Sequence, residues 1–186
     1  MTVEESLKDA EQKMRSAASV TQDELGSIRT GRANPRLLDR LTVEYYGTQV
    51  PLNQLASFSV PEPRLLVIQP FDKSAIAAME KAIQSSDLGL TPSNDGNVIR
   101  LAFPPLTEER RKDLIKLAKE RAEDGRVSVR NVRRHIKESL ERLERDHTIS
   151  EDDLRRSEKE LQRLTDQYVA DIDNLLDHKE KELMEV

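Results

Sequence analysis

Gly125-Arg126-Val127-Ser128-Val129-Arg130-Asn131-Val132-Arg133-Arg134-His135-Ile136-Lys137 decides the fold, because it carries a packing face and a charged face on one helix. Val129, Val132 and Ile136 recur at steps of three and four, the spacing of a buried helical face. Arg126, Arg130, Arg133, Arg134 and Lys137 come with no acidic residue among them. At about 100° per residue these five fall within an arc of about 100°, roughly 110° from the apolar seam. The seam extends back through Leu114, Ala118, Ala122 and Gly125, and forward to Leu140 and Leu143. Thr107 can cap the start, and Glu108 and Glu109 suit the positive end of the helix dipole. The helix is expected to end near His147, which makes it about 40 residues and ~60 Å long.

A helix with one apolar stripe needs partners. Upstream, Val3, Leu7, Ala10, Met14, Ala17, Thr21, Leu25 and Ile28 repeat at three and four. Thr2 and Glu5 form a capping box before them, and Gly31 and Pro35 are expected to end the helix. Downstream, Ser150 caps a third helix whose first turn is Glu151-Asp152-Asp153, with Ile149 stapled to Leu154. Its seam is Leu154, Leu161, Leu164, Tyr168, Ile172, Leu175 and Leu183. Three such helices bury their stripes together as a bundle.

Between the first two helices the composition changes. All eight prolines lie between Pro35 and Pro105, with every aromatic except Tyr168. Residues 31–106 are charge-balanced, whereas 107–147 carry three more bases than acids and 148–186 six more acids than bases. This is a neutral β-rich domain inserted in a charged helical one. Leu41-Thr42-Val43-Glu44-Tyr45 alternates as a half-buried strand, and Gly47-Thr48 suits a two-residue hairpin turn. Phe58 and Val60 alternate again, and Leu65-Leu66-Val67-Ile68 reads as a central strand. Asp72 can cap a helix to about Ser86, with Phe71 and Ile76 as a staple and Gly89 as a stop. Asn94-Asp95-Gly96-Asn97 turns the chain into Ile99, Leu101 and Phe103. The fold class is α+β: a long antiparallel three-helix bundle, residues 1–30 plus 105–186, with a small β/α/β domain at 31–104.

The basic stripe admits three readings. A solvated charged face is the favoured one for an arbitrary charge run. Pairing with the surplus acids of the last helix is the second. The third is a phosphate-binding strip, because guanidinium forks match phosphate oxygens. Along the helix, Arg130, Arg133 and Arg134 have no acid three or four residues away except Glu138. No aromatic lies nearby to stack on unpaired bases, which favours folded, duplex-like RNA.

Other chemistry lacks a foothold. There is no cysteine, and the net charge of −5 argues against a general nucleic-acid coat. His135, His147 and His178 are too dispersed for a metal site. Asp171, Asp173 and Asp177 lack a calcium loop, and no phosphate-cradling glycine motif occurs. Arg29-Thr30-Gly31-Arg32 is too short for one. No catalytic constellation appears, so no enzyme, cofactor or metal is expected. Without a signal peptide or an apolar run of ~20 residues, a cytoplasmic protein is expected. A non-catalytic helical scaffold that binds another protein is the alternative function.

Four motifs identify a resemblance: Ile28-Arg29-Thr30-Gly31-Arg32-Ala33-Asn34-Pro35, Val129-Arg130-Asn131-Val132-Arg133-Arg134, Ile149-Ser150-Glu151-Asp152-Asp153 and Lys179-Glu180-Lys181-Glu182-Leu183-Met184. Each is weak alone; in this order and spacing they are specific. The chain resembles the bacterial ribosome recycling factors over essentially its whole length. The resemblance implies an L-shaped protein with hinges near Thr30-Gly31-Arg32 and Phe103-Pro104-Pro105. It implies binding of the post-termination ribosome, with the bundle against large-subunit ribosomal RNA, and subunit separation driven by elongation factor G with GTP. It implies neither a DNA nor a membrane partner, and a monomer is expected. RNA-contacting roles carry over to Arg130 and Arg133, and more loosely to Arg29 and Arg32; the helical geometry adds Arg126 and Arg134.

Overall fold

In chain order the computed structural model contains α1 (Val3–Gly26), β1 (Thr42–Tyr45), β2 (Thr48–Pro51), β3 (Ala56–Glu62), β4 (Leu65–Pro70), α2 (Ile76–Gln84), β5 (Pro92–Asn94), β6 (Ile99–Ala102), α3 (Glu108–Arg145) and α4 (Glu151–Met184). It describes residues 1–185. These fall into two units, Met1–Arg29 with Glu108–Glu185, and Thr30–Thr107.

The first unit is the three-helix bundle. Thr2 Oγ1 accepts from Glu5 N at 3.1 Å while the Glu5 carboxylate accepts from Thr2 N at 2.7 Å, so α1 starts on the capping box read from sequence. It stops earlier than Gly31. Gly26 lacks a side chain and Ser27 closes the last turn, its N–H on Asp23 O and its hydroxyl on Glu24 O at 2.7 Å. Ile28 still reaches the core through one further tight turn, Ile28 N donating to Leu25 O. The seam therefore outlasts the helix.

Helix α3 runs unbroken through the Gly125–Lys137 stretch, burying Leu114, Ala118, Ala122, Gly125, Val129, Ile136 and Leu140. His147, at φ +56°, ends it. His147 N donates to Glu144 O and Thr148 N to Leu143 O, both at 2.9 Å, the paired closure that normally uses glycine at this position. Three residues after His147, Ser150 opens the capping box of α4, its Oγ accepting from Asp153 N at 3.1 Å. Contacts between α3 and α4 run in opposite senses: Lys119 faces Glu180, Arg126 faces Asp173, and Lys137 faces Glu158. Arg15 meets Tyr168 while Thr21 lies by Ile172, so α1 runs parallel to α4 and antiparallel to α3. Met14, Val129, Leu140, Leu161, Tyr168 and Ile172 form the shared core.

The second unit holds a hairpin, β1–β2, and a four-stranded antiparallel sheet in the order β3-β4-β6-β5. Leu65–Ile68 is internal to that sheet, as its unbroken apolar run requires. Helix α2 lies against β1 and β5 and buries Ile76, Met79 and Ile83 on Leu66, Ile68, Ile99 and Leu101. Several local expectations are corrected. The hairpin turn is Tyr46-Gly47 rather than Gly47-Thr48: both have positive φ, +50° and +75°, and Thr48 is already paired with Tyr45. Asp72 caps a single 3-10 turn, accepting from Ser74 N at 2.9 Å, and α2 starts only after it. Phe71 is exposed instead of stapling Ile76, and Tyr45 Oη donates to the neighbouring Asp72 carboxylate at 2.7 Å. That bond pushes the Tyr45 hydroxyl up to about 12. Helix α2 ends at Gln84 with Ser85 as its cap, close to the expected Ser86, so Gly89 is not its stop; Val60 is exposed.

Candidate nucleic-acid interface

The charged face of α3 is held from behind by close helix packing. A Cβ on Gly125 would fall on Thr21 Oγ1 of α1, well inside van der Waals contact, and 3.2 Å from Ile172 Cδ1 of α4. Glycine lets three backbones converge at the base of the strip. One helical turn on, Val129 and then Ile136 are buried in the bundle core, which fixes the rotation of α3 and the outward direction of its arginines.

Of the five bases, Arg126 turns inward. Its Nε donates to Asp173 Oδ1 of α4 at 2.7 Å and its Nη1 to Glu123 Oε2 at 2.9 Å; its side chain is 18% exposed. Burial works against its charge, yet the two carboxylates outweigh burial and hold its pKa above the ordinary arginine value. The same Glu123 reaches Arg130, Oε1 to Nη1 at 3.4 Å. Lys137, at the other end, lies 3.8 Å from Glu141 and 3.6 Å from Glu158 of α4. Pairing with acids, including those of the last helix, therefore accounts for both ends of the strip.

The middle differs. Arg133 Nη1 donates to the Gln162 carbonyl at 2.8 Å, and the Gln162 amide in turn donates to Asp166 at 2.8 Å. Arg134 Nη2 donates to Asn131 Oδ1 at 2.6 Å. Both partners are neutral amides, and among the described residues neither arginine has an acidic one. A neutral partner orients a guanidinium without cancelling its charge, so Arg133 and Arg134 keep their full attraction for an anion. Asn131 and Gln162 were not singled out in the sequence. Asn131 was legible three residues from Arg134; Gln162 needed the bundle.

Arg29 is exposed just beyond α1. Because Thr21 is level with Gly125 and the two helices run oppositely, Arg29 and Arg133 are separated by about 20 Å along the bundle. They do not form one patch. Arg32 belongs to the second unit; it is exposed and engaged in contacts of its own. Thr30 is half-buried, Gly31 has φ +77°, and Pro104 and Pro105 are exposed. No helix among the described residues is long and apolar enough to cross a membrane. No group of three or more histidines or carboxylates among them is placed to hold a metal ion.

Comparison with known proteins identifies relatives over the length of the chain. A profile of the ribosome recycling factors matches residues 21–184. The ribosome-recycling factor of Acidothermus cellulolyticus is 56% identical over 184 residues, covering 99% of this chain and 100% of that one. That of Halalkalibacterium halodurans is 59% identical over 182 residues, covering 98% of each. A solution structure of the ribosome recycling factor superimposes with a TM-score of 0.75 at 45% identity, covering 100% of this chain and 99% of that one. The T. thermophilus ribosome recycling factor, described with E. coli elongation factor G bound to the E. coli post-termination complex, gives 0.64 at 47% identity, with 98% and 99% covered. With its whole length matched by such relatives and its bundle-plus-insert fold shared with them, the chain belongs to the ribosome recycling factor family.

Proposed function

We propose that the protein binds the post-termination ribosome through the α3 strip, laid against large-subunit ribosomal RNA, and with elongation factor G and GTP promotes separation of the subunits and release of mRNA. Arg133 and Arg134 carry this reading: they are two outward guanidiniums oriented by neutral amides in a protein that is acidic overall. Arg130 joins them once it leaves Glu123, Arg126 secures the helix behind them, and Arg29 and Arg32 make separate, weaker RNA contacts. The protein hydrolyses nothing itself and works as a cytoplasmic monomer. The second unit rotates about Thr30-Gly31-Arg32 and Pro104-Pro105 when elongation factor G pushes it. The described assembly of the similar T. thermophilus factor with elongation factor G on a post-termination complex supports this pairing of partners.

The test is breakdown of post-termination complexes with elongation factor G and GTP, alongside cosedimentation with ribosomes. The wild-type chain is expected to convert the complexes to subunits, and Arg133→Ala with Arg134→Ala to weaken ribosome affinity by tenfold or more. About three phosphate contacts give a log–log salt slope of order −3. A helical scaffold would give no conversion, and unchanged affinity in the double variant would remove the strip from the mechanism.

A further inference from the structure

Four charged residues cross the bundle as a chain: Asp173 of α4 to Arg126 at 2.7 Å, Arg126 to Glu123 at 2.9 Å, and Glu123 to Arg130 at 3.4 Å. Two acids and two bases make this cluster neutral. Arg126 has two strong, short bonds and is mostly covered; Arg130 has one long bond and is 52% exposed. The cluster therefore holds its two arginines unequally. Arg126 is fixed in place, whereas Arg130 is held loosely by a carboxylate that Arg126 and Asp173 keep in position.

We propose that Glu123 is a specificity-determining residue of the RNA-binding strip. It sets the end of the strip by occupying Arg130 with a tethered carboxylate, which a phosphate must displace. This rests on the reading of Arg133 and Arg134 as phosphate contacts. An exposed ion pair of this length is weak, so a well-placed phosphate displaces the carboxylate, while a misplaced one gains too little to do so. Glu123 thus discriminates by position: RNA that meets Arg133 and Arg134 in register reaches Arg130, and polyanions binding at random encounter a neutralised end.

The experiment measures binding of the full chain to ribosomes and to an unrelated polyanion, heparin, for wild type, Glu123→Gln, Arg130→Ala, the Glu123→Gln/Arg130→Ala double variant and Arg133→Ala. Glutamine keeps an oxygen for Arg126 while removing the charge. Glu123→Gln is expected to bind ribosomes about two- to fivefold more tightly. Heparin affinity should rise by more than that, so that the preference for ribosomes narrows; an equal or smaller rise overturns the specificity role. Both gains should vanish in the Arg130→Ala background and shrink with added salt. Unchanged or weaker ribosome binding by Glu123→Gln overturns the proposal, as does a gain that survives Arg130→Ala. If Arg133→Ala weakens binding in the same series, that failure leaves the strip itself standing. If Arg133→Ala has no effect, the strip reading fails and this proposal falls with it.

Discussion

Gly125 is the residue where helix propensity and packing disagree. Alanine is favoured over glycine inside a helix by about 1 kcal/mol. Here the added methyl meets Thr21 Oγ1, which is fixed by its own bond to Ala17 O at 2.9 Å, and Ile172. Overpacking of this kind costs about 1–3 kcal/mol, so packing wins. Gly125→Ala is expected to lower stability in urea unfolding, and Thr21→Ala in the same chain to restore part of the loss, a coupling that a double-mutant cycle reads directly. Asp95 makes a second residue-scale case. Its carboxylate accepts from Val98 N and Asn97 N and then pairs with Arg100, which holds its pKa at about 2 against an ordinary 3.8. A depressed carboxylate stabilises the fold above the unfolded pKa, and that contribution fades as pH falls from about 4 through about 2, vanishing only below the folded pKa. Asp95→Asn should therefore melt lower than wild type at pH 7, with the gap narrowing through pH 2 and closing only below it. The arginine positions on α3 were legible at this scale, because angular arithmetic along one helix needs no tertiary information. Their partners were legible only in part: Glu123 and Asn131 lie one turn from Arg126 and Arg134, whereas Asp173, Glu158 and Gln162 belong to another helix.

At the scale of elements, the starts of α1 and α4 were easier to read than the stop of α1 or the start of α2. Starts are set by side chains that announce themselves, and both capping boxes stand where Thr2-Glu5 and Ser150-Asp153 place them. Ser150→Ala is expected to cost about 1 kcal/mol of stability, measured by thermal or urea unfolding. The end of α1 was missed because Ile28 continues the apolar period beyond the last helical turn; Ser27, which ends it, is a weaker signal than Gly31. The Tyr46-Gly47 turn was missed by one residue because tyrosine rarely accepts positive φ, and nothing in a single sequence reveals that the strand register demands it. The end of α3 was read correctly near His147, and His147 itself takes a positive φ there. It occupies a left-handed position suited to glycine, so His147→Gly should raise stability by about 1 kcal/mol, a gain visible as a higher urea midpoint at unchanged slope.

For the whole molecule, the connectors between the two units carry the expectation that matters most. Gly31 holds φ +77°, a conformation that an L-residue adopts only under strain. Gly31→Val is expected to leave ribosome affinity within about twofold while slowing subunit separation, because α3 lies in a different unit from the altered connector. Equal losses of binding and of separation would show that the connector does not act as a hinge. The bundle is built from the two ends of the chain, with residues 30–107 between them, while α3 and α4 are joined by a tight turn around His147. Assembly during synthesis therefore runs against chain order. Helix α1 leaves the ribosome before α3 and α4, and its apolar seam has no partner until they follow. At about 5–20 residues per second it waits on the order of ten seconds. Meanwhile the second unit has its own core and can close by itself. The α3–α4 hairpin, local in sequence, then forms the groove that receives α1 last. Amide protection in pulse-labelled refolding should appear in α3 and α4 before α1, which makes the bundle helix translated earliest of the three the last to find its place.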